Sequence, residues 1–137
     1  MNLSPAIAIH LFAALAALVL GPLALWARRA GQPRARLHRA AGYAWVTLMV
    51  VTALSALFIS DPVIPNIAGF GPIHLLIPVV LGSLFLALRQ LLRGNVRGHR
   101  QTMLGLYFGA CLGAGVFTLL PGRTLGQLVW GQWLGLL

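Results

Sequence analysis

The stretch "SPAIAIHLFAALAALVLGPLALWA", residues 4–27, decides the fold of this 137-residue chain. It contains no charged side chain, and Arg28 and Arg29 follow it directly. A helix rises about 1.5 Å per residue, so roughly 20 apolar residues cross the hydrocarbon core of a bilayer. The stretch is therefore predicted to be a transmembrane helix that begins at Ser4 and Pro5 and ends at the two arginines.

The rest of the chain has the same character. Its mean hydropathy is +0.89 and only 8 % of its residues are charged, whereas a soluble domain has about 25 %. We predict one transmembrane domain, residues 1–137, with spans at about 4–27, 40–59, 71–92 and 100–120. Residues 124–137 carry Trp130 and Trp133, which favour the membrane interface, and are predicted to form a short interfacial helix.

The expected fold class follows from the lipid environment. Backbone polar groups in hydrocarbon must be satisfied within each span, which favours helices. The connections are short, so we predict an all-α integral membrane protein: a four-transmembrane-helix, up-down-up-down bundle of two similar hairpins.

The charges predict the orientation. The chain has ten arginines, no lysine and one acidic residue, Asp61, for a net charge of +9. Nine arginines fall in the first and third loops, at positions 28, 29, 34, 36, 39, 89, 93, 97 and 100. By the positive-inside rule both loops are cytoplasmic and both termini lie on the outer side of the membrane. Because the arginines flank apolar runs, we expect them to contact the headgroups of the lipid bilayer, and we expect no nucleic-acid partner.

The four histidines form two sets. His10 and His74 lie inside the first and third spans near the outer face, whereas His38 and His99 stand at the cytoplasmic entrances of the second and fourth. The outer two are 64 residues apart (10 to 74) and the inner two 61 (38 to 99). This near-constant offset indicates a diverged duplication, with two hairpins related by an axis along the membrane normal.

Two histidines at one depth suggest a haem. A b-type haem between helices needs two neutral imidazoles, one on each side of the macrocycle. The sequence therefore predicts a haem b binding electron-transfer protein, with quinone as a candidate redox partner. Its predicted iron ligands are His10 with His74 and His38 with His99, and its predicted propionate-binding cations are Arg39, Arg100 and Arg123.

Other functions remain open at this stage. Gly105, Gly109 and Gly113 form two overlapping GxxxG motifs, which indicate close helix packing inside the protein or in an oligomer. This face and the C-terminal tryptophan segment also fit an accessory subunit of a larger membrane complex. A small transporter or proton path through the intramembrane histidines is a third hypothesis, although it lacks an acidic coupling residue. Each histidine could also simply make one interhelical hydrogen bond or snorkel to the headgroups.

No hydrolase or transferase motif is present. The motifs that do occur are, in order, His10, His38-Arg39-Ala-Ala-Gly42-Tyr43, His74, His99-Arg100-Gln-Thr-Met103 and Pro121-Gly122-Arg123. This layout resembles a family of small bacterial four-span membrane proteins of unknown function, over nearly the whole chain. The resemblance implies an integral inner-membrane protein without an assigned activity. More distantly, the one-per-helix histidines are similar to those of bis-histidine transmembrane b-type cytochromes, which implies haem ligation.

Overall fold

A computed structural model describes residues 4–28, 34–59, 71–121 and 123–135, and these contain helices but no β-strand. The helices are α1, Pro5–Trp26; α2, Ala35–Ala56; α3, Leu76–Leu92; and α4, Val96–Gly105. A 3₁₀ turn, Pro72–Leu75, precedes α3.

The chain continues from α4 through a π-helical segment, Leu106–Gly113, into α5, Ala114–Thr118. We call this continuous helical segment, residues 96–118, the fourth rod. Then come α6, Thr124–Gly126, and a second π-helical segment, Gln127–Trp133. Arg29, Asp61, Gly122 and residues 136–137 lie outside the described residues.

Helix α1 begins where the sequence predicts. The Ser4 hydroxyl accepts a hydrogen bond from the Ile7 amide at 3.3 Å, and Pro5 occupies the first helical position. Proline is tolerated there because that amide has no intrahelical partner in any helix. The predicted start at Ser4 and Pro5 is confirmed.

Two helices begin earlier than the apolar runs indicate. Helix α2 starts at Ala35 rather than near residue 40, and α4 starts at Val96 rather than near residue 100. Hydropathy marks the edge of the apolar run, but in α2 the helix-favouring Ala35, Arg36 and Leu37 extend the backbone helix beyond it. Asn95 caps α4, since its side-chain oxygen accepts the Gly98 amide at 2.9 Å. As a result, His38 and His99 are each the fourth residue of a helix.

A tight turn joins α3 to α4. The Gly94 amide donates to Leu91 and the Asn95 amide donates to Gln90, which is the Schellman arrangement at a helix C-terminus. Gly94 has φ +75°, a left-handed conformation that favours glycine. The turn therefore reverses the chain within three residues and makes α3 and α4 an antiparallel hairpin.

The helices form two hairpins that pack side by side. Helix α1 packs against α2 and α3 against α4, while α2 also contacts α3 and the first π-helical segment contacts both α1 and α3. All of these elements except α4 contribute to the core, which consists of Ala17, Trp45, Met49, Ala53, Ile77, Val80, Leu84, Leu106 and Tyr107. Both hairpin turns lie at the same end of this assembly, because adjacent helices run antiparallel.

The outward-facing side chains are apolar. Phe12, Val19, Phe58 and Phe85 are largely exposed, although such residues are normally buried in water-soluble proteins. Two helices, Pro5–Trp26 and Ala35–Ala56, are long and apolar enough to cross a membrane, and Leu76–Leu92 is a shorter apolar helix. An apolar exterior on helices of this length is the pattern of an all-α membrane protein.

Candidate functional site

His38 hydrogen-bonds across the first hairpin. Its Nδ1 lies 2.9 Å from the carbonyl oxygen of Ala24, in the last turn of α1. That carbonyl is available because the Arg28 amide donates to Leu25 rather than to Ala24. The half-buried His38 ring thus satisfies a carbonyl at the end of one helix from the first turn of the next.

His99 repeats this arrangement in the second hairpin. Its Nδ1 lies 3.0 Å from the carbonyl oxygen of Ala87, which is in α3. Ala87 is fully buried, and its small side chain lets the imidazole approach the helix backbone. The two hairpins therefore share the contact as well as the sequence motif, and the internal repeat itself remains a prediction.

These contacts determine the tautomer of both rings. A carbonyl oxygen can only accept a hydrogen bond, so Nδ1 of His38 and of His99 must carry the proton. In the neutral imidazole Nε2 then has a free lone pair. Metal-ligating histidines are commonly held this way, with the second ring nitrogen donating to a backbone carbonyl.

His10 makes a similar bond near the other end of the bundle. Its Nδ1 lies 2.9 Å from the Thr52 carbonyl oxygen and 3.1 Å from the Ser55 hydroxyl, both in α2. Ser55 is buried and also donates to the Thr52 carbonyl at 3.1 Å. The side chains of Thr47, Thr52 and Ser55 all donate back to their own helix. The contact between Ser55 and His10 is an addition that the sequence did not reveal.

His74 differs from the other three histidines. It lies in the 3₁₀ turn, and its Nδ1 accepts the Gly71 amide at 3.1 Å. A neutral ring that accepts at Nδ1 carries its proton on Nε2, the reverse of the tautomer of His10. The hydrogen bonds of His10, His38 and His99 run within the first or second hairpin, so none of these three bonds joins the two hairpins.

The predicted cations lie at both ends of the bundle. Arg39 and Arg100 are exposed and directly follow His38 and His99. Arg123 is half-buried at the opposite end, where its guanidinium lies 4.3 Å from the ring centroid of Phe117. Within the described ranges no group of three or more His, Cys, Asp or Glu side chains could hold a metal ion. A metal at the histidines would therefore need additional ligands from a cofactor.

A hydrogen bond in the middle of the bundle joins the first π-helical segment to α1. Pro22 has no amide hydrogen, so it leaves the Leu18 carbonyl without its usual intrahelical donor. The Tyr107 hydroxyl donates to that carbonyl at 3.0 Å. Tyr107 is therefore the neighbour that satisfies this carbonyl.

The mid-bundle contact depends on a glycine. A Cβ on buried Gly21 would overlap the ring of Tyr107 and lie 3.3 Å from Nε1 of Trp45. The Trp45 indole is buried, and its N–H has no acceptor among the described residues. The bundle is therefore closely packed between the two histidine levels.

A second hydrogen bond links α3 and α4 close to His99. The Thr102 hydroxyl donates to the side-chain oxygen of Gln90 at 3.0 Å, and both side chains are half-buried. The sequence analysis did not predict this pair. A glutamine in the last turn of an apolar helix, followed by a threonine near the start of the next helix, is a pattern that could have indicated the hydrogen bond.

The predicted glycine face points away from the bundle. Gly105, Gly109 and Gly113 are exposed. A Cβ at Gly105 or Gly109 would meet no atom within 4 Å, and one at Gly113 would meet only the Phe108 carbonyl oxygen at 3.6 Å. These glycines do not pack helices together inside the described part of the chain, so their role in an oligomer or complex remains a prediction.

The C-terminal segment folds back onto the end of the fourth rod. The Trp130 indole donates to the Leu119 carbonyl at 2.7 Å, and a Cβ at Gly126 would collide with the backbone of Leu120. Trp133 is 77 % exposed. This leaves Trp133 free for a membrane interface or a partner, whereas Trp130 is engaged inside the molecule.

These features define an all-α membrane protein with polar contacts concentrated at the helix ends. Residues 7–130 match the family described as Predicted membrane protein (DUF2306), so the chain belongs to that family of unknown function. The expected membership in a membrane-protein family without an assigned activity is confirmed, and the relationship to b-type cytochromes remains a prediction. No curated protein and no solved structure matches the chain.

Proposed function

We propose that this chain is a haem b binding membrane electron-transfer protein with His38 and His99 as iron ligands at the cytoplasmic end. The observation that supports the proposal is their shared tautomer. Both rings donate Nδ1–H to a carbonyl of the preceding helix, at 2.9 Å and 3.0 Å, and each leaves an unprotonated Nε2. Both are also the fourth residue of their helix, which favours a common depth.

The remaining parts of the site come from adjacent residues. Arg39 and Arg100 are exposed next to the two ligands and supply guanidinium groups for the haem propionates. The carbonyls of Ala24 and Ala87 fix the orientation of the imidazoles. Haem b, when bound, supplies a reversible one-electron couple. We include quinone as the redox partner because it dissolves in the same bilayer.

The proposal extends to an outer haem level with His10, His74 and Arg123, but under one condition. His10 already has the tautomer that leaves Nε2 free. His74 would have to give up the Gly71 amide and move its proton from Nε2 to Nδ1. We therefore expect the cytoplasmic level to bind haem more tightly than the outer one.

Visible spectroscopy of the purified protein tests the cytoplasmic site. We expect a Soret band and, after reduction with dithionite, the sharp bands of six-coordinate haem b. The variants His38→Gln and His99→Gln should each lose the six-coordinate spectrum of the cytoplasmic haem, because an amide is a poor iron ligand. Glutamine still donates a hydrogen bond, so the contacts with Ala24 and Ala87 can persist and the hairpins should remain folded.

His74→Gln serves as the control for the cytoplasmic site. It should leave the six-coordinate spectrum of that site intact, because His74 lies in the 3₁₀ turn before α3, far along the helix from the turn to α4. Wild-type protein without a Soret band, even after incubation with added haemin, would refute the proposal. In that case the histidines would serve only as helix-to-helix hydrogen-bond donors.

A second candidate function is an accessory subunit of a larger membrane complex. The observation that favours it is the exposed glycine face of Gly105, Gly109 and Gly113, which packs against nothing in the described residues. Exposed small-xxx-small faces let another transmembrane helix approach closely. Trp133 would extend the contact surface at the outer end.

Purification from native membranes distinguishes the second candidate. An accessory subunit should co-purify with a partner in fixed stoichiometry, and Gly109→Leu should abolish this. Gly82→Leu is the matched control, since Gly82 is also exposed and a Cβ there meets no atom within 4 Å. His10→Gln should leave the assembly intact. Equal loss with both glycine variants would refute a specific role for this face.

The orientation is part of the proposal. Both hairpin turns are rich in exposed arginines, so we place that end in the cytoplasm of a bacterial cell, with four spans and both termini outside the inner membrane. Alkaline phosphatase fused to the C-terminus should be active, whereas a fusion at the Gly94 turn should be inactive. The opposite pattern would invert the orientation.

A further inference from the structure

One end of the bundle is covered with exposed arginines. The two hairpin turns bring together eight arginines that the structure describes as exposed: Arg28, Arg34, Arg36, Arg39, Arg89, Arg93, Arg97 and Arg100. We call this set the arginine ring. Both hairpins contribute four members, because the turns lie at the same end of the bundle.

The chain cannot neutralise this charge itself. Asp61 is the only acidic residue in the sequence, and it belongs to the connection between α2 and α3 rather than to either hairpin turn. Eight guanidinium groups at one end of the bundle repel one another unless anions lie among them. The counter-charge must therefore come mainly from outside the protein.

A partly exposed tryptophan indicates that the arginine ring lies at the depth of lipid headgroups. The Arg34 guanidinium stacks over the ring of Trp26 at 4.4 Å, and Trp26 is about half exposed. Tryptophan prefers the interface between hydrocarbon and headgroups. Arg39 and Arg89 lie one turn inside the ends of their helices, so the ring spans the edge of the apolar surface rather than extending into the cytoplasm.

We propose that the arginine ring binds anionic phospholipids as specific ligands, with headgroup phosphates held between guanidinium groups. Arginine suits this ligand because its planar donors bind two phosphate oxygens at once, and the chain uses arginine at every basic position. Near a membrane surface each arginine strengthens such binding by about fivefold. This inference does not depend on haem binding.

Native mass spectrometry of the detergent-purified protein tests the proposal. The protein is exposed to mixed micelles of phosphatidylcholine and phosphatidylglycerol, and the lipids that remain bound are identified. We expect phosphatidylglycerol to be retained selectively. Arg97→Gln should lower its apparent affinity by about fivefold, and Arg36→Gln should do the same. Equal retention of the two lipids would overturn the proposal.

Two comparisons separate specific lipid binding from simpler explanations. Arg123→Gln removes the same charge at the opposite end and should leave phosphatidylglycerol retention unchanged; an equal loss would mean that only net charge matters. Inorganic phosphate is then added as a competitor. If phosphate displaces the lipid at comparable concentration, the ring is a site for soluble anions and the lipid assignment is wrong.

Discussion

Replacing Tyr107 with phenylalanine tests how the bundle tolerates a proline in its first helix. The substitution removes the hydroxyl that donates to the Leu18 carbonyl at 3.0 Å, but keeps the buried ring against Gly21. The carbonyl has already lost its intrahelical donor at Pro22. The variant should therefore leave a polar group unsatisfied in the apolar centre of the bundle.

The expected cost is set by two opposing effects. Interhelical hydrogen bonds in membranes contribute about 0.6 kcal/mol on average and at most about 1.7 kcal/mol. A buried acceptor without a donor costs about 1–3 kcal/mol. Since Pro22 cannot donate to the Leu18 carbonyl, we expect a loss of about 1–1.5 kcal/mol, close to a tenfold change in the unfolding equilibrium.

A double-mutant cycle identifies the cause. Pro22→Ala restores an amide that can donate to Leu18, so Tyr107→Phe should cost less than about 0.5 kcal/mol in that background. The measurement is unfolding by sodium dodecyl sulfate in mixed micelles, followed by circular dichroism. Tyr43→Phe, at a tyrosine that is 72 % exposed, is the control and should have little effect. An equal cost of Tyr107→Phe with and without Pro22 would refute the reasoning.

Two further substitutions test contacts at opposite ends. Gly126→Ala should displace the C-terminal segment, because the new Cβ would overlap the Leu120 backbone. We expect trypsin to cleave this variant after Arg123 roughly tenfold faster than the wild type. The control is Gly115→Ala, where a Cβ meets no atom within 4 Å, and this variant should be cleaved at the wild-type rate. Thr102→Val should remove the hydrogen bond across the second hairpin and lower the unfolding free energy by about 0.6 kcal/mol in the same micelle assay. Its control is Thr47→Val, whose hydroxyl bonds only within its own helix; equal losses would mean that the contact across the hairpin adds nothing.

Most of the helical structure could be predicted from the sequence. An uncharged run of sufficient length must form a helix in lipid, and Ser4 with Pro5 marks where α1 begins. Helices α2 and α4 start before the apolar runs that predict the spans, because helix-favouring residues precede the run in α2 and Asn95 caps α4. The positions of His38 and His99 near the starts of their helices could also be expected, whereas His74 lies in the 3₁₀ turn before α3 and not within that helix.

The histidine contacts were decided by tertiary structure. His38 reaches a carbonyl 14 residues away, His99 one 12 residues away, and Tyr107 one 89 residues away. Which carbonyl a ring meets depends on the rotation of each helix about its axis, and apolar periodicity is weak when a helix is apolar on all sides. The tautomers, including the reversed one of His74, follow from those contacts.

The same distinction applies to the glycines. The sequence determined that Gly21, Gly105 and Gly109 are small, and small residues favour close approach. Only the packed bundle shows that Gly21 lies against Tyr107 whereas Gly105 and Gly109 point outward. Composition and the length of the apolar runs specify the helices, because each span forms the hydrogen bonds of its own backbone. Which residues a helix face contacts depends instead on how all the helices pack together.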